Sequence, residues 1–215
     1  MLIYKKKLNF IIVIELSAYL EKNRIEAGCD EAGRGCLAGP VVAAAVVLNP
    51  KKPINGLNDS KQLNEKKRIF LRHEIESNAL SFSVAVVEPE KIDEINILNA
   101  SIHAMHLAVQ KLHVIPEWLL IDGNRFHAYP GINHTCVIKG DGKFQSIAAA
   151  SILAKTYRDE IMLKLHEKFP EYHWNKNMGY PTKAHRDAIK NFGATPHHRM
   201  SFKLLPDSNQ LRLFD

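Results

Sequence analysis

The chain has 215 residues, of which 46% are hydrophobic, so it is long enough and apolar enough to form one sizeable globular domain. Its formal net charge of +6, with a sequence pI of about 9.2, favours a polyanionic partner. Its three cysteines form no CxxC pair, so neither a disulfide framework nor a zinc site is indicated, and a reducing cytosol is the simplest setting.

Residues 1–24 are predicted to be an N-terminal extension. Three lysines at residues 5–7 precede an apolar run at residues 8–14, an arrangement that mimics the start of a signal peptide. The run is short, contains Asn9, lacks a clear cleavage site of small residues and is too short to span a bilayer. We expect the extension to lie on the domain or to be partly disordered; a misplaced start codon is the alternative.

The hydrophobic pattern then predicts alternating strands and helices. The first half of the domain predicts two strands, a helix, a third strand and a long helix, in that order, at residues 25–33, 39–48, 65–79, 81–87 and 89–112. Ser60 or Asn64 is expected to cap the first helix. The second half predicts two short strands and two helices at residues 118–121, 135–138, 146–169 and 181–192. This order predicts an α/β domain with helices packed on the sheet.

The turn after the first strand carries the densest polar motif of the chain. Residues 28–35 contain two adjacent carboxylates, three glycines and one arginine. Asp30 and Glu31 offer oxygen ligands for a hard divalent cation, the glycines expose backbone N–H groups, and Arg34 suits a phosphate. The motif therefore indicates a site for a phosphate ester and a metal; a polar turn between two buried strands is the alternative.

Two further aspartates follow short apolar strands. Asp122 and Asp141 each stand just after such a strand, and ligands of open α/β sheets collect beyond the carboxyl ends of strands. Together with Asp30 and Glu31 they can converge at one sheet edge. Neighbouring strand residues point to opposite faces, so Asp30 and Glu31 converge only if the backbone bends there, and Gly33 would allow such a bend. Taken singly, each aspartate also fits a turn or cap.

The motif resembles that of a known enzyme family. Residues 30–35 read Asp-Glu-Ala-Gly-Arg-Gly, which is similar to the signature of the type 2 ribonucleases H, specifically bacterial ribonuclease HII. Other segments resemble the family in the same order, at residues 58–63, 121–123, 139–141, 146–155, 157–159, 179–182 and 198–202. The match covers about residues 25–202, and several ordered segments are far more specific than one motif.

The resemblance implies a ribonuclease H-like fold, with a five-stranded mixed sheet flanked by helices and a helical C-terminal part, over residues 25–203. It also implies hydrolysis of the phosphodiester on the 5′ side of ribonucleotides embedded in or joined to DNA, leaving a 3′-hydroxyl and a 5′-phosphate. Asp30, Glu31, Asp122 and Asp141 would bind Mg²⁺ or Mn²⁺, as two ions, and carry the catalysis. We expect a cytoplasmic monomer without a membrane segment.

The resemblance also implies a set of residues that select the substrate. Backbone groups of Gly33, Arg34 and Gly35 would reach a ribose 2′-OH, and Tyr180 would stack on the neighbouring deoxynucleotide sugar. A surface tyrosine before a helix is the alternative for Tyr180. Lys61 is the phosphate contact that fits the family best. Further cations fit phosphate contacts or, alternatively, solvated charges: Lys155, Lys183, His185 and Arg199.

Residues 204–215 are predicted to form a flexible tail. The chain ends with a glutamine followed by spaced apolar residues, which looks like the peptide by which bacterial replication and repair proteins dock on the DNA sliding clamp. The residues expected to bind are Gln210, Leu211, Leu213 and Phe214. The alternative is that this apolar end folds back on the domain.

Two rival functions stay open on the sequence alone. A DNA nuclease or resolvase of the same fold would use the same carboxylates, but it needs no reader of a 2′-OH such as residues 33–35. A nucleic-acid-binding protein without catalysis fits the basic charge. That second rival leaves four carboxylates unexplained at the binding site of a polyanion.

Overall fold

The computed structural model describes residues 16–206 and shows a five-stranded mixed sheet in the order β3-β2-β1-β4-β5. The strands are β1 (Glu26–Ala32), β2 (Val41–Val47), β3 (Ser81–Val87), β4 (Trp118–Asp122) and β5 (Asn133–Val137). Strands β1, β2 and β3 pair antiparallel, whereas β4 pairs parallel with both β1 and β5. The predicted fold class is therefore confirmed.

Six helices surround the sheet in the part of the chain that the structure describes. They are α1 (Glu65–Asn78), α2 (Pro89–Ile95), α3 (Ile97–Gln110), α4 (Gln145–Lys168), α5 (Trp174–Asn177) and α6 (Lys183–Phe192). Helix α3 packs on one face of the sheet, and α4, backed by α1, packs on the other. Strand β2 is buried along its whole length, as its unbroken apolar sequence predicts, because helices cover both faces.

Helices α2 and α3 replace the single long helix predicted at residues 89–112. The break lies at Asn96, whose φ of 64° is outside the helical region. Its side chain accepts a hydrogen bond from the backbone N–H of Asn99 and so caps α3. The apolar stripe continues across the break, since Ile92 and Met105 are both buried, so periodicity alone did not reveal it.

The helical C-terminal part packs on the far end of α4. Its core joins Met162 of α4 to Tyr172, Trp174 and Ile189, which are all buried. Helix α6 begins at Lys183, two residues later than predicted, because the Thr182 side chain caps it by accepting from the N–H of His185. At the other end of the domain, Asn64 rather than Ser60 caps α1.

Part of the predicted N-terminal extension is visible. Leu16 is buried against α4, and the Ser17 backbone exchanges hydrogen bonds with Lys143 and Gln145. The apolar run at residues 8–14 lies outside the described residues, as do the four predicted clamp-binding residues of the tail. Within residues 16–206, no helix has the length and hydropathy needed to cross a bilayer.

Close packing of α4 on β1 depends on Gly28. A Cβ atom built on Gly28 would lie 2.2–2.4 Å from backbone atoms of Ser146 and Ile147, which cannot move without shifting the helix. We predict that Gly28→Ala lowers the free energy of unfolding by about 3 kcal/mol, as expected for strong overpacking. Urea denaturation measures this change.

Gly142→Ala is the matched control, because a Cβ atom there meets nothing within 4 Å. We expect the control to change the unfolding free energy by less than about 0.5 kcal/mol. Equal stability of the two variants would show that α4 does not approach β1 this closely.

Candidate active site

Four carboxylates lie at the carboxyl ends of three neighbouring strands. Asp30 and Glu31 are near the end of β1, Asp122 is the last residue of β4, and Asp141 lies in the 3-10 turn Gly140–Gly142 after β5. The pairing of β1 with β4 stops at Cys29, one residue before Asp30, while β1 continues along β2 to Ala32. This end of the sheet is where ligands of α/β folds collect.

Strand β1 is regular at Asp30 and Glu31, and the chain turns only at Gly33, which has a φ of +98°. Asp30 and Glu31 stay in regular register opposite Ala44 and Ala43, so their side chains leave the strand on opposite faces. Both nevertheless feel the charge of Asp122. Asp122, at the end of the neighbouring strand β4, is therefore close enough to influence both carboxylates without any kink in β1.

Each carboxylate is turned towards a protein partner. The Asp30 side chain accepts from the backbone N–H of Glu31 at 2.7 Å, and Glu31 Oε1 accepts from Arg34 Nη1 at 3.1 Å. Asp122 Oδ1 accepts from the backbone N–H of Gly140 at 2.7 Å. Asp141 is paired separately, with Lys61 Nζ at 3.6 Å from its Oδ2.

Burial and the repulsion of neighbouring charges raise the pKa values of three of these carboxylates, Asp30, Glu31 and Asp141. Burial raises the pKa of Asp30 well above its ordinary value, and the charges of Glu31 and Asp122 raise it further. Burial also raises the pKa of Glu31, where Arg34 opposes and Asp122 reinforces the change. Burial raises the pKa of Asp141 as well, again with Asp122 adding to it. Asp122 is thus the charge that all three share.

The donor set fits a hard divalent cation in kind, because it consists of carboxylate oxygens whose crowding a positive charge would relieve. Among residues 16–206, however, no three Asp, Glu, His or Cys side chains are already arranged to hold a metal ion. The ion pairs of Glu31 with Arg34 and of Asp141 with Lys61 direct oxygens elsewhere. Arg34 and Lys61, whose side chains are 51% and 82% exposed, have solvent on one side into which they can turn.

The loop at residues 33–40 is fastened by two buried arginines. Arg158 donates to the carbonyls of Ala38, Pro40 and Met178 at 2.9–3.1 Å. A Cβ atom on Gly33, which has a φ of +98°, would lie 2.1 Å from Arg158 Nε, so only glycine fits there.

Arg199 is the second of these buried arginines. It donates to the carbonyl of Arg34 at 2.9 Å and twice to the carbonyl of Gly39. Burial lowers the pKa of Arg199 to about 10. Together with Arg158, it ties the loop at residues 33–40, called the glycine loop, to the helical C-terminal part of the chain.

Two of the four additional phosphate contacts suggested by the sequence are wrong in this conformation. Arg199 and His185 are both 0% exposed and hydrogen-bonded internally, so neither side chain can reach a phosphate. Lys155 and Lys183 are paired with Asp159 and Asp187, at 2.7 Å each. Charged and polar residue types are usually exposed, which is why the sequence did not reveal this burial.

Tyr180 lies beside the glycine loop and remains 43% exposed. Its ring carbon Cε1 is 4.0 Å from where a Cβ atom on Gly35 would stand. Its hydroxyl meets the buried thiol of Cys36. Lys61, another predicted substrate residue, lies beside Asp141 and has a side chain that is 82% exposed. The structure thus brings Gly35 and Tyr180 together.

A cavity of about 320 Å³ adjoins the carboxylates on the α3 side. The sequence did not single out three of its polar lining residues, Ser101, Asn124 and Arg125. The Ser101 hydroxyl is buried and has no hydrogen-bond partner in the described part of the chain. Asn124 and Arg125 directly follow the Asp122-Gly123 pair in the sequence. That proximity to a predicted site residue was the signal that could have identified them.

Removing one charge from the cluster of four carboxylates is predicted to stabilise the metal-free protein. The folded carboxyls hold protons that the unfolded chain has already lost, so the unfolding free energy falls as pH rises above about 4. We expect Asp30→Asn to raise that free energy by about 1 kcal/mol or more at pH 8 in EDTA, and by less at pH 5. Urea denaturation at both pH values measures the difference.

The exposed Asp187→Asn is the control for this prediction, with an expected change below about 0.5 kcal/mol at either pH. A lower stability of Asp30→Asn than wild type at pH 8 in EDTA would contradict the repulsion described here.

Comparisons with known proteins identify the family. The family model "Ribonuclease HII" matches residues 27–205. The ribonuclease HII of Bacteroides thetaiotaomicron is 65% identical over 198 residues, covering 92% of this chain and 98% of the relative. That of Parabacteroides distasonis is 62% identical over 192 residues, covering 89% and 96%.

Solved structures agree with these sequence matches. A ribonuclease H2 from Pyrococcus horikoshii has a TM-score of 0.70 at 27% identity, covering 83% of this chain and 94% of its own. A ribonuclease HII from Archaeoglobus fulgidus, solved in complex with PCNA, has a TM-score of 0.73 at 27% identity, covering 86% and 98%. The chain therefore belongs to the ribonuclease HII family and is a ribonuclease H, an endonuclease that acts on RNA–DNA hybrids.

Proposed function

We propose that the enzyme hydrolyses the phosphodiester on the 5′ side of ribonucleotides embedded in or joined to DNA, leaving a 3′-hydroxyl and a 5′-phosphate. One observation carries this proposal. The four carboxylates lie at the carboxyl ends of neighbouring strands next to the glycine loop, and Tyr180 packs against that loop at Gly35. The proposed reaction centre therefore adjoins the surface proposed to distinguish two neighbouring sugars.

Asp30, Glu31, Asp122 and Asp141 are the proposed metal ligands and carry the catalysis. Two bound Mg²⁺ or Mn²⁺ ions would activate a water and stabilise the leaving oxygen. Asp30 and Asp141 are almost fully buried, at 6% and 5% exposure. Their orientation is therefore restricted before any ion binds. Glu31 would be one of the residues that hold the cation, and the half-exposed guanidinium of Arg34, which now pairs with Glu31, would suit a phosphate of the substrate.

Substrate selection is assigned to the glycine loop and Tyr180. Backbone groups of Gly33, Arg34 and Gly35 would contact the ribose 2′-OH, which is present only where the strand is RNA. Arg199 fixes the carbonyl of Arg34, so this part of the loop is already positioned. Tyr180 would stack on the adjacent deoxyribose. A DNA nuclease would have no use for this reader, and that rival is accordingly the weaker one.

Lys61 is proposed to contact the phosphate that is cut. Its Nζ lies 3.6 Å from Asp141 Oδ2, and its side chain is 82% exposed, so it can turn from the carboxylate to a bound phosphate. Burial acts to lower the pKa of Lys61, but the charges of Asp141 and Asp59 outweigh it and raise the pKa. The side chain therefore stays cationic at neutral pH and can serve this role.

The C-terminal tail is proposed to bind the DNA sliding clamp through Gln210, Leu211, Leu213 and Phe214. The related enzyme of Archaeoglobus fulgidus, solved with PCNA, supports this idea. A pulldown with purified clamp tests it, using the full chain and a chain lacking residues 210–215. Equal retention of both would contradict it.

We further propose that the catalytic domain spans residues 25–203, and that the enzyme works as a monomer in the cytoplasm.

We predict that Asp30→Asn reduces cleavage at least about 1,000-fold, because one carboxylate of the metal site is lost, while nucleic-acid binding changes less than about threefold. The substrate is a DNA duplex with one ribonucleotide and a 5′ label, incubated with Mg²⁺, Mn²⁺ or EDTA. Cleavage is followed on gels, and affinity by fluorescence anisotropy.

An all-DNA duplex of the same sequence is the substrate control, and Asp187→Asn is the protein control. The proposal requires one cut on the 5′ side of the ribonucleotide, absent in EDTA and absent from the all-DNA duplex. Cleavage by Asp30→Asn at the wild-type rate would refute the metal assignment. Equal cutting of both duplexes would favour the DNA-nuclease alternative.

A further inference from the structure

A buried chain of hydrogen bonds lies directly behind Tyr180. It is built from Trp174, His185 and His198, which are 0–1% exposed. Trp174 Nε1 lies 3.0 Å from His185 Nε2, and His198 Nε2 lies 3.2 Å from the same atom. His185 Nδ1 in turn lies 2.9 Å from the carbonyl oxygen of Tyr180. This series of hydrogen bonds therefore ends at the backbone carbonyl of Tyr180, the residue proposed to stack on the sugar.

The hydrogen-bond partners of His185 and His198 determine which ring nitrogen of each histidine carries the proton. An indole N–H can only donate and a carbonyl can only accept, so His185 accepts at Nε2 and carries its proton on Nδ1, facing Tyr180. His198 Nδ1 accepts from the backbone N–H of Thr195 at 2.9 Å. Its proton is therefore on Nε2, from which it donates to His185. The two histidines thus have opposite tautomers.

Both histidines are neutral in this arrangement. Burial lowers the pKa of His185, and it lowers the pKa of His198 to about 4, helped by the proximity of His185. A neutral His185 with its proton on Nδ1 donates one hydrogen bond, and that bond is directed at the carbonyl of Tyr180. It cannot serve as the exposed cation that a phosphate contact requires.

The backbone of Tyr180 is held tightly although its ring is open to solvent. Its N–H donates to Asn177 O at 2.8 Å, and its carbonyl accepts from both Thr182 N–H and His185 Nδ1. The preceding Gly179 has a φ of +81°, and a Cβ atom there would lie 2.4 Å from the carbonyl of Ala38. The peptide that carries the tyrosine ring is thus pinned between the loop after β1 and the buried histidine.

We propose that His185, oriented by Trp174 and His198, is a positioning residue that holds Tyr180 where its ring meets the deoxyribose beside the ribonucleotide. His185 would thereby favour duplexes with an embedded ribonucleotide over duplexes with a continuous RNA strand. This inference rests on the proposed function of Tyr180. The competing view is that the cluster only packs the helical C-terminal part together.

The proton positions are tested first, on the full-length protein, by ¹⁵N NMR of its histidine side chains. The expected spectrum shows His185 protonated at Nδ1 and His198 protonated at Nε2, with assignments from His185→Asn and His198→Asn. A proton on Nε2 of His185 would overturn the inference, because Tyr180 would then receive no donor from it.

The second test uses two replacements of His185 that differ in where they place an amide. Asparagine puts its N–H₂ near the position of Nδ1 and can still donate to Tyr180, whereas glutamine reaches the position of Nε2 and cannot. The readout is the kcat/KM for a DNA duplex with one ribonucleotide divided by the kcat/KM for a continuous RNA strand paired with DNA. Because both values come from one preparation, partial unfolding does not affect the ratio.

We expect His185→Gln to lower this ratio about tenfold, the effect of one lost buried hydrogen bond, and His185→Asn to keep it within about threefold of wild type. In a Tyr180→Ala background, His185→Gln should change the ratio no further. An equal loss on both substrates, with the ratio unchanged, would mean that His185 is only structural and would overturn the inference.

The outcomes separate this inference from the proposed function on which it rests. If Tyr180→Ala lowers the ratio and His185→Gln does not, only the positioning role is wrong. If Tyr180→Ala itself leaves the ratio unchanged, the proposed role of Tyr180 is wrong, and the inference falls with it. A fall in the ratio for both variants, with rescue in His185→Asn, supports both.

Discussion

Repulsion among buried carboxylates is the constraint on which the rest of this structure depends. Asp30, Glu31 and Asp141 all have raised pKa values, and each of them feels the charge of Asp122. The fold keeps them together by anchoring their backbones in neighbouring strand ends and by tying Asp122 to the Gly140 N–H. Such an arrangement opposes folding in the absence of a cation, which is typical of sites that serve function rather than stability.

A second constraint joins the sheet to the helical C-terminal part. Arg158 and Arg199 are buried, form no ion pair with a carboxylate among residues 16–206, and donate to backbone carbonyls of the loop after β1. A buried cation requires this many acceptors, since its desolvation is otherwise costly. The glycine loop and Tyr180, which belong to distant parts of the sequence, therefore lie side by side in the folded chain.

Much of the fold was predictable because its signals are local. The apolar run of β2, the cap at Asn64 and the strand ends before Asp122 and Asp141 all depend on residues near each other in sequence. The site motif at residues 30–35 was equally visible. The break at Asn96 was missed because the apolar stripe runs through it and the backbone conformation of one residue decides it.

Long-range burial was the part that the sequence could not show. Arginine usually faces solvent and histidine is of intermediate burial, so the sequence suggests phosphate contacts or solvated charges for Arg199 and His185. Their actual partners, Tyr180 and residues of the loop after β1, are determined by the tertiary fold. The cavity beside Ser101 was missed for the same reason, because α3 and the segment after β4 meet only in the folded chain.

The measurement that tests the central claim most directly is a calorimetric titration of the wild-type protein with Mn²⁺ at a series of pH values from 5 to 8. It is performed in two buffers with different ionisation enthalpies, so that the protons released on binding are counted. If the carboxylates repel one another and retain protons, cation binding must release them, and Asp122→Asn must reduce both the release and the affinity. Binding without proton release, or equal binding by Asp122→Asn, would contradict this account of the site.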